Sequence, residues 1–209
     1  MTISAPLALT KLMRLQQIVG GFFQADIEFD LDEDGNILKG AIPKPPIRID
    51  EKNPRIESLI ELLEECDGKV IIWARFRAEI KAISDRISES FGKESLVQYH
   101  GGVSNEERAI AVSSFQNSDR VRFFVGHVQA GGKGLTLHAA STVCYFSNNF
   151  SLEDRLQSED RAHRIGQKNN VTYVDFVATN TLDETVVTTL RSKKSVADLV
   201  TGDPTLGWI

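Results

Sequence analysis

The sequence predicts an α/β fold, a parallel sheet with helices on both faces. Two observations predict it. Five short apolar runs lie between residues 69 and 177, separated by stretches of helical periodicity or helix-starting signals, except that a glycine-rich turn stands between the third and the fourth. Strands that read as near-continuous apolar runs and alternate with helices belong to a parallel sheet covered on both sides. Right-handed crossovers then bring loop ends and helix starts to the carboxyl edge of the sheet, where ligands bind.

The elements follow in order. Leu9, Leu12, Met13, Gln16 and Val19 share one face of a helix over 7–19, which Gly20-Gly21 ends. Ile27, Phe29 and Leu31 alternate with acids, and Asp34-Gly35-Asn36 supplies turn chemistry before Ile37-Leu38, which predicts an exposed acidic hairpin over 26–42, dispensable for folding. Pro43, Pro45 and Pro46 stiffen the connector that follows. Asn53-Pro54 opens the next helix, with Ile56, Leu59, Ile60 and Leu63 on its apolar face and Gly68 as its stop. Strands are then expected over 69–76, 96–100, 122–128, 142–146 and 171–177. Helices are expected over 78–91, 105–116, 152–165 and 182–200, the last broken near Lys193-Lys194.

The chain has 209 residues, 41% hydrophobic and 25% charged, as expected of a globular protein with a full core. No apolar run approaches the ~20 residues of a membrane span, and no secretory signal opens the chain, so no membrane partner and a cytoplasmic setting are expected. Cys66 and Cys144 are read as separate thiols rather than a disulfide or metal pair, and no metal site is expected. The net charge of −5 hides an asymmetry: residues 26–65 carry 12 acids and 5 bases, so the rest is slightly basic. That balance permits a phosphate-binding groove.

The densest chemical signal lies in the helix expected over 152–165. Ser151 suits its N-cap, Asp154 a capping box and Gly166 its stop. Gln157, Arg161 and Arg164 fall at i, i+4 and i+7, within an arc of roughly 60° at about 100° per residue. Two guanidiniums and a carboxamide side by side suit a phosphate whose charge builds up during transfer. Arg155, on the opposite face, is expected to tolerate alanine. Upstream, residues 126–137 read G-H-V-Q-A-G-G-K-G-L-T-L, a strand running into a glycine turn that lets backbone N–H groups approach an anion. It is not a Walker A loop, because Gly-Lys is followed by Gly134 rather than Ser or Thr.

The run Q-S-E-D-R-A-H-R-I-G-Q at 157–167 resembles motif VI of the superfamily-two helicase-like ATPases in the form written by the Swi/Snf family, and it matches at every specified position. A-G-G-K-G-L-T at 130–136 resembles motif V of that family. Tyr99-His100-Gly101-Gly102, then Asn105-Glu106-Glu107-Arg108, resembles motif IVa, and Val70–Phe76 followed by Arg77–Ile87 resembles motif IV. The resemblance covers about residues 50–200. It implies a RecA-like lobe of the P-loop NTPase fold, the second lobe of two, without a Walker A loop. Residues 1–25 would then be an inter-lobe linker helix, 26–49 the acidic hairpin and connector, and 50–209 the lobe.

The resemblance also implies roles. Arg161 and Arg164 would reach across a cleft to ATP on another lobe, with Gln157 orienting them. Gly131, Gly132 and Gly134 would lie on the nucleotide side of motif V. Thr136 would meet DNA phosphate, with Lys133 assigned beside it, and His100, Gly101 and Arg108 would hold the backbone. The implied cofactor is ATP with Mg²⁺, bound mainly by the first lobe. The implied partners are that N-terminal RecA-like lobe and DNA, double-stranded. The stretch Asn148-Asn149-Phe150-Ser151-Leu152 stands where large remodellers usually have an Asp followed by W-N-P, and resembles compact prokaryotic or viral members and annealing-type members more. No phosphate loop and no strand-borne Asp-Glu-x-His are present: Asp32-Glu33 falls in a turn and Asp183-Glu184 opens a helix. A second reading stays open, a module that binds nucleic acid or a partner ATPase without catalysis.

Overall fold

The computed structural model describes residues 5–24, 45–49, 52–130 and 135–201, which fall into two compact units, Met1–Asn53 and Pro54–Ile209. In the first unit α1 spans Ala5–Val19 and stops at the two glycines, Gly21 at φ +84°. Gln16 is buried on its expected face, but Met13 is 36% exposed. A short antiparallel pair follows that the sequence does not announce, β1 (Phe22–Phe23) with β2 (Ile47–Arg48). The hairpin expected over 26–42 lies outside the described residues.

The second unit holds α2 (Pro54–Glu65), β3 (Lys69–Trp73), α3 (Arg77–Phe91), β4 (Leu96–Tyr99), α4 (Asn105–Asn117), β5 (Phe123–Gly126), β6 (Ala140–Tyr145), α5 (Leu152–Ala162), β7 (Thr172–Asp175) and α6 (Leu182–Thr201). The five strands β3 to β7 form one parallel sheet in the order β4-β5-β3-β6-β7. This is the expected α/β architecture. Alternation along each strand divides the core between the two faces. Val70, Ile72, Phe123, Val125 and Cys144 pack with Ile56, Leu59, Ile60 and Leu63 of α2 and Ile80, Ile83 and Ile87 of α3. Ile71, Trp73, Phe124, Val143 and Tyr145 pack on the other face with Phe115 of α4 and Ala162 of α5. At ~1.5–3 kcal/mol for each fully buried large side chain, these two layers supply the driving force for folding.

Most strand and helix ends differ from expectation by a few residues, and two of the differences have a plain physical reason. β3 ends at Trp73, although the apolar run goes on to Phe76, because burial outlasts the ladder and the chain turns into α3. α6 runs through Lys193-Lys194 without a break, since two lysines are good helix formers and nothing there costs a hydrogen bond.

Candidate functional site

The parallel sheet brings its carboxyl ends level. Trp73 pairs with both Gly126 and Tyr145, and Tyr99 pairs with Gly126. Arg75 and Arg77 after β3, His100 after β4, His127 after β5 and Ser147–Asn149 after β6 therefore share one edge. A pocket of about 120 Å³ opens there, lined by Arg75, His127, Gln129, Ser147, Asn149 and Asp154 among others.

The helix carrying the arginine pair is shorter than the sequence predicts. Ser151 caps it, accepting from Asp154 N at 3.2 Å. The reciprocal half of the capping box is missing, because the Asp154 carboxylate takes the amides of Asn149 (2.6 Å) and Gln129 (2.8 Å). At the other end α5 stops at Ala162 instead of running to 165. Donors from outside the helix consume its last carbonyls: Leu137 N bonds Arg161 O at 2.8 Å, and the Gln167 amide reaches Ala162 O at 3.3 Å. Gly166, at φ +107°, then turns the chain.

Gln157, Arg161 and Arg164 thus do not share one helical face, because Arg164 sits in the turn. The two arginines still converge. Nη1 of Arg161 and Nη1 of Arg164 both point at Leu135 O, at 3.4 and 3.3 Å, and Arg164 also donates to Thr136 Oγ1 at 2.8 Å. Arg161 is buried, whereas Arg164 is exposed. Gln157 stands exposed on α5 and donates to Glu153 at 3.1 Å. Gly131, Gly132, Lys133 and Gly134 lie outside the described residues.

Arg155 is not the tolerant residue the sequence suggested. The face of α5 opposite the arginine pair is the face packed on the sheet, and Arg155 is 2% exposed. Its guanidinium donates to Asp175 at 2.5 and 3.2 Å, to Glu159 at 2.7 Å and to Asn148 at 3.1 Å. It lies 3.4 Å from the centre of the Tyr145 ring. One planar cation joins β6, β7, α5 and the loop after β6.

On the β4 side, His100 Nδ1 accepts from Gly102 N at 3.0 Å and its other ring nitrogen meets Gln98 Oε1 at 3.2 Å. Arg108 Nε holds Val103 O at 3.0 Å and its guanidinium lies 5.9 Å from the Tyr99 ring centre. His127 repeats the local arrangement, with Nδ1 accepting from Gln129 N at 3.2 Å. Burial holds both imidazoles below the ordinary histidine range, and the charges of Arg77 and Arg108 add to this at His100. Both rings are neutral at pH 7, as their acceptor nitrogens require.

Glu79, which sequence reasoning passed over, is buried beneath this edge. Its Oε2 accepts from Ser147 Oγ at 2.6 Å and Phe76 N at 3.1 Å, and Ser147 Oγ in turn accepts from Arg75 N at 2.8 Å. Its other oxygen, Oε1, is buried without a hydrogen-bond partner. Burial pushes this carboxyl up to about 7, against the pull of Ser147, Phe76 and Arg55. The folded state therefore binds a proton that the unfolded state releases near 4.5, and stability falls as pH rises from there through 7. Glu79→Gln should flatten this dependence: between pH 5 and 8 the wild type should lose stability relative to the variant in urea unfolding. Parallel pH profiles would refute the assignment. A Glu three residues after a cap is a visible signal, but Phe76 in the cap position hides it.

Residues 53–166, more than half of the chain, match the helicase conserved C-terminal domain. The chain belongs to that family. Its relatives place this helicase domain among the Swi/Snf-type ATPases. ISW2, the ATPase of a Saccharomyces cerevisiae ISWI chromatin-remodelling complex, is 30% identical over 172 residues, 78% of this chain and 15% of ISW2. The chromatin-remodelling ATPase INO80 of Cryptococcus neoformans is 29% identical over 151 residues, 72% of this chain and 8% of INO80. The chain therefore spans about a sixth or less of these relatives. The C-terminal domain of the Sulfolobus solfataricus SWI2/SNF2 ATPase shares the fold, with a TM-score of 0.60 over 93% of this chain and 73% of that one, at 23% identity. This likeness supports the RecA-like architecture. Among the described residues no helix is long and apolar enough to cross a membrane.

Proposed function

We propose that this helicase domain is the second lobe of an ATP-driven DNA translocase, supplying arginine fingers and DNA-backbone contacts to a site completed by a first lobe. The observation that carries the reading is the convergence of Arg161, Arg164 and Thr136 at Leu135. Two guanidiniums with planar donors meet a threonine hydroxyl at the junction of the two motifs that resemble V and VI. Such a group fits the γ-phosphate of ATP: its donors match phosphoryl oxygens and stay charged.

Among the described residues no cluster of three His, Cys, Asp or Glu side chains stands ready for a metal ion. Mg²⁺ and the phosphate chain would be held by the first lobe. Bound there, ATP supplies the phosphoanhydride whose cleavage drives movement along DNA. In the closed cleft, Arg164 would leave Thr136 for the γ-phosphate, and Arg161 would follow from its buried position. The Thr136 hydroxyl, Arg108 and the Gly101 turn would hold the backbone of duplex DNA. The stretch Asn148–Leu152, without W-N-P, supports a compact enzyme over a large remodeller.

The experiment is direct. The 209-residue chain alone should hydrolyse ATP negligibly, and adding the first lobe should produce DNA-stimulated hydrolysis. Robust turnover by the pure chain, lost in Arg161→Ala, would overturn the half-site reading.

A further inference from the structure

The segment Leu135–Ala140 is clasped to the arginine turn almost residue by residue. Leu135 O and Thr136 Oγ1 take the two guanidiniums. Leu137 N donates to Arg161 O at 2.8 Å, and Ala140 O accepts from the Gln167 amide at 2.7 Å. The His138 ring lies against Gly166: a Cβ there would stand 3.6 Å from its Cγ, Cδ2 and Nε2. The segment is a template on which Arg161, Arg164 and the turn that joins them are laid out. Yet residues 135–139 belong to no helix or strand. Leu135 and Leu137 are buried and anchor the template, but burial is non-directional and does not set its orientation.

Orientation comes from α4. Gln116, half-buried in the last turn of that helix, reaches two adjacent template residues with one carboxamide. Its Oε1 accepts from Ala139 N at 3.0 Å, and its Nε2 lies 3.1 Å from His138 Nδ1. An amide nitrogen only donates, so Nδ1 accepts. Two bonds from one rigid plane fix both the path of the backbone at Ala139 and the tilt of the imidazole that Gly166 rests on. A leucine would fill the same space and make neither bond.

We infer that Gln116 is a positioning residue for ATP hydrolysis, holding through Ala139 and His138 the template that sets Arg161 and Arg164. This deepens, and rests on, the reading of the two arginines as fingers of a two-lobe ATPase. Gln116 acts on the reaction only through those neighbours. Its leverage is geometric, since a misplacement of about 1 Å at a reacting group can cost on the order of a hundredfold in rate.

The test uses a protein that carries both lobes, with kcat and the KM for ATP read at saturating DNA and the melting temperature read alongside. Gln116→Leu should lower kcat by roughly 10- to 100-fold and leave the KM for ATP and the DNA affinity unchanged. Gln116→Glu keeps an acceptor for Ala139 N and should recover most of the loss. His138→Leu removes the other partner, and should reproduce the loss even if Gln116→Leu does not fold. Added to Arg164→Ala, Gln116→Leu should slow the enzyme little further. A full additional loss on that background would show that Gln116 supports the fold rather than the arginines, and would overturn the assignment. Normal kcat in Gln116→Leu beside an impaired Arg164→Ala would overturn it too, with the arginine reading intact. A wild type without DNA-stimulated hydrolysis, or near-normal kcat in Arg164→Ala, would bring down the finger reading and this assignment with it.

Discussion

Arg164→Ala, in a protein that carries both lobes, should lower kcat by about a thousandfold or more while moving the KM for ATP little. The reason is geometric. Arg164 is exposed and rests on Leu135 O and Thr136 Oγ1, two weak anchors it can leave. It meets the γ-phosphate fully only when the cleft closes, so its donors act on the transition state more than on bound ATP. The same exposure means the variant should fold normally. Arg161→Ala should lower kcat comparably and also reduce stability, because its side chain is buried against the loop that carries Leu135. The double variant should be little slower than the slower single one, since both act on one developing charge. Lys81→Ala, on the outer face of α3 with its side chain 77% exposed, should be silent. Steady-state kinetics with saturating DNA reads all four. Near-normal kcat in Arg164→Ala would remove the arginine from the chemistry.

Arg155→Ala should unfold the lobe or come close to it. Removing the guanidinium leaves Asp175 and Glu159, 9% and 12% exposed at their side chains, without their cation. Breaking a buried ion pair from one side costs about 3–5 kcal/mol, a large share of the 5–15 kcal/mol a domain holds in total. Lysine should rescue only part, because a point charge cannot serve two carboxylates and Asn148 from a plane stacked on Tyr145. Arg155→Ala combined with Asp175→Asn and Glu159→Gln should be more stable than Arg155→Ala alone, since the stranded charges go too. Urea denaturation measures this series. An Arg155→Ala midpoint equal to wild type would show that the network carries no net stability.

The sheet and its helices were legible because apolar runs and helical periodicity report burial directly. Val70, Ile71, Ile72 and Trp73 are buried on both faces of β3 and read so from sequence. What escaped depends on partners distant in the chain. The end of α5 is set by Leu137 and Gln167, neither of which is visible from the helix itself. Arg155 was misread because a face was judged by what lay on the other side of the helix, when the sheet decides which side is buried. β1 and β2, two residues each, carry no pattern to read. At the site, Arg161, Arg164 and Thr136 were legible as a motif and do meet, whereas the buried contacts of Glu79 with Ser147 and Phe76 emerge only from packing.

The strand order has a consequence for how the lobe comes into being. β3 sits at the centre of the sheet, between β5 and β6, yet it is the first of the five strands to be synthesised. Its second flank, β6, ends only at Tyr145. At 5–20 residues per second the ribosome needs roughly 4–14 s to pass from Trp73 to Tyr145. During that interval Ile71, Ile72 and Trp73 form an apolar edge with no neighbour on one side, the kind of segment that aggregates or recruits a chaperone. α2 and α3 are made next to it and can cover one face locally; the opposite face waits for α4 and α5. The nascent lobe is therefore most vulnerable between the emergence of β3 and that of β6, and a slowed or truncated message ending before β6 should yield insoluble product.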